Sequence, residues 1–94
     1  LELIETSGHV PGHQSVLVRL PNTGPVLLAI DAVAVQSDFT SDRQGSPMDA
    51  DGEGAIASTR KLLALAEREH VNLVIFGHDG QQWATIKKLP DYYD

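Results

Sequence analysis

Leu1 to Glu5 alternates apolar and acidic positions, the two-residue period of a half-buried strand. The segment Thr6-Ser7-Gly8-His9-Val10-Pro11-Gly12-His13 breaks that period, because its glycines and proline oppose regular structure. Alternation resumes over Ser15–Leu20, where Val16, Val18 and Leu20 share one face and Ser15, Leu17 and Arg19 the other. Pro21-Asn22-Thr23-Gly24 is a turn signal, and Val26–Ile30 is an unbroken apolar run. Two strands so closely spaced predict a β-hairpin, with the second strand buried on both faces. For a tight turn centred near Asn22-Thr23, paired positions have numbers summing to about 45 or 46. That brings His13 beside Asp31 and its neighbour Ala32, and a bulge could move the register by a residue.

The stretch from Gln36 to Gly54 is polar and rich in Asp, Ser and Gly, a loop long enough to suggest a functional or mobile role. Asp49 or Asp51 suits the start of a helix. Ile56, Thr59, Leu62, Leu63 and Ala66 recur at helical spacing and predict its buried face, with Arg60, Lys61, Glu67 and Arg68 turned elsewhere. Arg68 and His70 stand near its C-terminus, as the helix dipole favours. Leu73–Phe76 reads as a short buried strand ended by Gly77. In the tail, Trp83, Ile86, Leu89, Tyr92 and Tyr93 predict a segment that packs down. The order strand, loop, hairpin, helix, strand is an α/β arrangement with one helix on a mixed sheet. One helix covers one sheet face, whereas Val26–Ile30 and Leu73–Phe76 call for cover on both. The chain therefore reads as one segment, 1–94, of something larger, and its first residue, Leu1, already belongs to a strand.

The 94 residues carry 7 Lys+Arg against 13 Asp+Glu, a net charge of −6. That acidity argues against a nucleic-acid backbone as partner. No cysteine is present, which excludes disulfides, thiolate metal sites and Cys nucleophiles. There is no apolar run of about 20 residues to span a bilayer and no signal-peptide pattern. We expect a cytoplasmic protein with no membrane partner.

Candidate chemistry sits at three comparable places. His13 precedes the first hairpin strand, Asp31 ends the apolar run of the second, and His78 follows Leu-Val-Ile-Phe-Gly. An aspartate at the end of a buried strand calls for a paired charge or a metal, and imidazole with carboxylate suits zinc, manganese, iron or cobalt. Each residue alone also has a plain reading: a loop histidine bonded to backbone, a turn-capping aspartate, a turn histidine. His9, four residues before His13, reads as a loop histidine that is exposed or supports a ligand, and His70 as a helix-terminus residue. Asp79 either orients His78 or holds a loop amide. Asp38, Asp42, Asp49, Asp51 and Glu53 do not have EF-hand spacing and read as a solvated loop. Ser15 and Ser58 have no base near them in sequence, so a serine hydrolase has little support.

Thr6-Ser7-Gly8-His9-Val10-Pro11-Gly12-His13-Gln14-Ser15 resembles the T-P-G-H-x-P-G-H-x-S motif of the metallo-β-lactamase superfamily. Leu28-Ala29-Ile30-Asp31-Ala32 is similar to its bridging-aspartate strand, and Phe76-Gly77-His78-Asp79 to its last metal-histidine segment. With the tail Leu89-Pro90-Asp91-Tyr92-Tyr93, the combination is most similar to the N-acyl homoserine lactone lactonases, the quorum-quenching branch. The resemblance implies the C-terminal half of an αββα sandwich and a dinuclear zinc hydrolase, with Mn, Fe or Co as alternative metals. It implies that His13 binds one metal, Asp31 bridges both and acts at the catalytic centre, and His78 binds the other. The family's H-x-H-x-D-H motif is absent from the chain, so the N-terminal half, with the remaining ligands, is expected to lie elsewhere. Lactonases of this branch usually carry a tyrosine three residues after the bridging aspartate, where it contacts the substrate carbonyl; here Ala34 stands. The implied substrate is a small lactone or ester. The alternatives are a glyoxalase-II-like thioesterase, another hydrolase of the fold, or an inactive fragment that only associates. The 94 residues alone are expected to be inactive, and their open sheet face to bind the missing half or a second copy.

Overall fold

In the computed structural model, which describes residues 1–88 and 90–94, β2 (Gln14–Leu20) and β3 (Gly24–Ile30) form the antiparallel hairpin. Gly24 takes the left-handed backbone that closes its turn, at φ +84°. β1 (Glu2–Glu5) pairs antiparallel with β2, and β4 (Leu73–Phe76) pairs parallel with β3, giving a four-stranded mixed sheet ordered β1-β2-β3-β4. The connection from β3 to β4 contains one 3-10 turn, Gln36–Asp38, and helix α1, Gly52–Arg68. A short helix, α2 (Gly80–Trp83), follows β4; its four residues are too few to show a period in the sequence.

α1 begins where a side chain can serve its free amides: Asp51 accepts from the Gly54 N–H. It ends in a Schellman-type closure, with the His70 N–H donated to the Glu67 carbonyl and the Val71 N–H to that of Ala66. His70 takes the left-handed conformation this closure requires, at φ +52°. That accounts for His70 without any chemistry.

The core forms between one face of the sheet and α1. Ile4, Leu17, Leu27, Ala29 and Phe76 meet Leu62 and Leu65, with Ala32 and Val33 closing one end. One expectation about faces needs correction. α1 buries Ala55, Ser58, Thr59, Leu62 and Leu65, while Ile56, Leu63 and Ala66 are only half-buried. The small residues near its start let the helix approach the 6–13 loop so closely that a Cβ on Gly8 would lie 2.2 Å from the Ala55 nitrogen. In β2 the fully buried face carries Ser15 and Leu17, whereas Val16, Val18 and Leu20 are half-buried on the other. The pairing register aligns Leu3, Val16, Leu28 and Ile75 in one apolar row on that second face, and Leu3 is 60% exposed. No described residue layer covers this face as α1 covers the first.

The long loop is less solvated than its composition predicts. Phe39 packs edge-on against Phe76, ring centroids 5.5 Å apart, and the side chains of Arg43 and Asp49 are 7% and 3% exposed. The tail is held by polar contacts rather than apolar burial. The Asn22 and Thr23 N–H groups donate to the Asp94 carbonyl, the Lys87 N–H donates to the Tyr93 hydroxyl, and Trp83 and Tyr92 are exposed. Leu89 lies outside the described residues. Among those residues no helix is long and apolar enough to cross a membrane.

Candidate functional site

The sheet brings three strand ends together. Paired positions in the hairpin sum to 44, as in Val16↔Leu28, one less than the lower expected value. Continued past the ladder, that register sets His13 against Asp31. There the Asp31 N–H donates to His13 Nε2 at 3.2 Å. On the other side, His78 Nε2 donates to Asp31 Oδ1 at 2.9 Å. The Asp31 carboxyl group thus meets His78, while its backbone meets His13.

Local backbone features produce this corner. The β3–β4 register is irregular between Leu28 and Ile30, and Ile30 has φ +56°, a conformation that a β-branched residue rarely adopts. The turn it makes re-aims Asp31 at the strand end. Gly77 allows β4 to close on that end, since a Cβ there would lie 2.3 Å from the Ile30 carbonyl oxygen and 3.2 Å from Asp31 Oδ1. Past the strands, the Gly77 and His78 N–H groups donate to the Val33 and Ala34 carbonyls, which anchors His78 beside Asp31.

The loop carrying His13 is clamped from behind by the start of α1. The carbonyls of Ser7, Gly8 and His9 accept from the Ser58 hydroxyl, the Asp51 N–H and the Ala50 N–H. Ser58 is thereby engaged in structure. His9 Nδ1 contacts Asp49 Oδ1 at 3.3 Å, away from the Asp31 corner. Asp49 also accepts from the Ser46 N–H and lies 3.6 Å from the buried Arg43 guanidinium. That guanidinium donates to the Ala32 carbonyl and the Thr59 hydroxyl, and its buried Nε has no partner among the described residues. Asp79 holds loop amides: it accepts from the Gln36 and Gln82 N–H groups, and the Gln36 bond foremost keeps its carboxyl below the usual range. An open cleft of about 1010 Å³ lies alongside, lined by residues that include Gln36, Asp79 and Gln82.

Two imidazoles and a carboxylate are donor types that zinc takes. They are linked here pairwise through Asp31. Among the described residues no three His, Asp or Glu side chains gather into a group that could hold a metal ion. The donor chemistry fits part of a centre and does not complete one.

No family model matches the chain. It is 44% identical over 94 residues to N-acyl homoserine lactonase AttM of Azorhizobium caulinodans, matching all of this chain and 35% of that protein. It is 37% identical over 92 residues to an N-acyl homoserine lactonase of a Bacillus species, matching 98% of this chain and 36% of that one. Its homologues are N-acyl homoserine lactonases. The structure superposes on an N-acyl homoserine lactone hydrolase, solved with N-hexanoyl-L-homoserine at its catalytic metal centre, with a TM-score of 0.88. That alignment has 33% identity and covers 97% of this chain and 35% of that one. The four-stranded sheet with its helix is thus part of the metallo-β-lactamase fold of those lactonases. The chain spans about a third of the length of the curated relatives it matches.

Sequence reasoning missed Thr6, Ser15, Arg43 and Asp49 as supports of the site. Thr6 and Ser15 stand within the T-S-G-H-V-P-G-H-Q-S motif, and their burial was the missing information. For Arg43 and Asp49 no local signal exists, because a buried charge in a polar loop looks like a solvated one.

Proposed function

We propose that this chain is the C-terminal part of a metal-dependent hydrolase that opens the lactone ring of N-acyl homoserine lactones. The lactonase homology along the whole chain, meeting the Asp31 corner where β2, β3 and β4 end, supports the reading. His13, Asp31 and His78 are the ligands this chain offers, zinc is the metal in view, and Mn, Fe or Co share the donor preference. A pair of such ions polarises an ester carbonyl and lowers the pKa of water. Asp31 occupies the centre of the donor string, which supports it as the residue that two such ions would share. Gly77 and the positive-φ turn at Ile30 set its position relative to His78. Ala34 supplies no phenol to the carbonyl, so that contact is absent or comes from elsewhere.

The remaining ligands come from an N-terminal portion of the longer protein. The row Leu3, Val16, Leu28 and Ile75 is the face that portion covers, which gives both sides of β3 their apolar neighbours. On this reading residues 1–94 alone do not hydrolyse lactones, and a cytoplasmic location accompanies a small diffusible substrate. The lactonase names of the homologues do not favour the thioesterase. The test is an assay of the full-length protein, loaded with zinc, on N-hexanoyl homoserine lactone and on a glutathione thioester. Turnover of the lactone, lost by at least about 100-fold in Asp31→Asn, is the expected result. Absence of lactone turnover with stoichiometric metal bound would refute the proposal.

A further inference from the structure

Behind His13 runs a string of hydrogen bonds in which the direction of every proton can be worked out. The Ser15 hydroxyl donates to the Ala29 carbonyl at 3.0 Å, and a carbonyl only accepts. Ser15 has spent its one proton there, so in the 2.9 Å contact between Thr6 Oγ1 and Ser15 Oγ the donor is Thr6. Thr6 has then spent its own proton. In the 2.9 Å contact between Thr6 Oγ1 and His13 Nδ1 the proton must belong to the imidazole. The other end of the ring says the same. A backbone N–H only donates, so Asp31 N–H at 3.2 Å requires an electron pair on His13 Nε2. Two independent ends of the string agree on a single neutral tautomer. Thr6 and Ser15 are fully buried, so water does not compete for these protons. The Thr6 N–H also donates to the His13 carbonyl at 2.8 Å, which fixes the two residues to each other through backbone as well as side chain.

We infer that Thr6 and Ser15 are positioning residues that hold His13 as the Nδ1–H tautomer and keep Nε2 unprotonated, its electron pair turned to the Asp31 corner where the Asp31 N–H meets it. That is the tautomer an Nε2 ligand needs, and a histidine ligand is oriented by what its other nitrogen meets. The tautomer assignment stands on hydrogen-bond geometry; only its consequence for metal affinity rests on the proposed function.

The test uses the full-length protein with 15N-labelled histidine, freed of metal by a chelator and held at about pH 8, above the ordinary imidazole range. The nitrogen shifts of His13 should show a protonated Nδ1 and an unprotonated Nε2. Thr6→Val removes the acceptor of the Nδ1 proton and should mix the tautomers and weaken zinc binding by about 10–100-fold. Thr6→Ser should restore both. Ser15→Ala frees the Thr6 proton to turn toward Nδ1 and should raise the Nε2–H population, which carries the test even if Thr6→Val does not fold. A wild-type His13 protonated on Nε2 would overturn the inference. So would Thr6→Val and Ser15→Ala variants that match the wild type in both shifts and zinc affinity. The shifts are read without turnover, so failure of the lactonase assignment leaves this result legible.

Discussion

Replacing Asp49 by alanine should destabilise the protein far more than an acid in a polar loop would suggest. The Asp49 side chain is 3% exposed and lies 3.6 Å from the guanidinium of Arg43, whose side chain is 7% exposed. It also accepts from the Ser46 N–H and contacts His9 Nδ1. Asp49→Ala strips the countercharge from a cation that remains buried, a change that typically costs about 3–5 kcal/mol. Against the roughly 5–15 kcal/mol that holds a domain folded, this is about a fifth or more of the total. In a host domain of 150–250 residues, at about 2–4 °C per kcal/mol, Tm falls by roughly 6–20 °C. Urea unfolding with an unchanged m-value gives the free energy directly. Removing both charges, in Arg43→Met with Asp49→Leu, should recover most of the loss, because the penalty comes from the orphaned cation. A single substitution that costs under about 1 kcal/mol, or a double one that costs the sum of the two, would refute the reasoning.

Gly77→Ala places a Cβ 2.3 Å from the Ile30 carbonyl oxygen, so the β3 and β4 ends must part. It should cost about 1–3 kcal/mol and lower activity of the full-length protein at least tenfold. Gly80→Ala, with open space around its Cβ, should stay within about 0.5 kcal/mol in the same melts. The Asp79 carboxyl is held below its usual 3.8 by the Gln36 and Gln82 amides, so its stabilisation is present above that value and lost as pH falls through the lowered one. The Gln36 amide shift should therefore titrate below about pH 3.8, and not at all in Asp79→Asn; titration at or above the usual value would contradict the contact. Ala34→Tyr should raise kcat/KM on a homoserine lactone by about tenfold, or about 1.4 kcal/mol of barrier, if a phenol at that position reaches the carbonyl.

The residues of this chain determine, by local pattern alone, the hairpin, α1 and β4, and they bring His13 to within a residue of Asp31; the exact register came from the turn. Period-two and period-3.6 spacing reflect geometry within a few residues, and a tight turn ties register to residue number. Asp51 as a cap and Gly24 at the turn are legible for the same reason. Tertiary structure alone decided which face of β2 enters the core. Val16, Val18 and Leu20 look the more apolar, yet α1 packs on Leu17 while Ser15 is buried behind the site as a hydrogen-bond relay. It alone paired Arg43 with Asp49, and Asp49 with His9, 40 residues away along the chain. Burial of a polar group depends on what another segment brings to it, and that partner leaves no periodicity for a sequence to display.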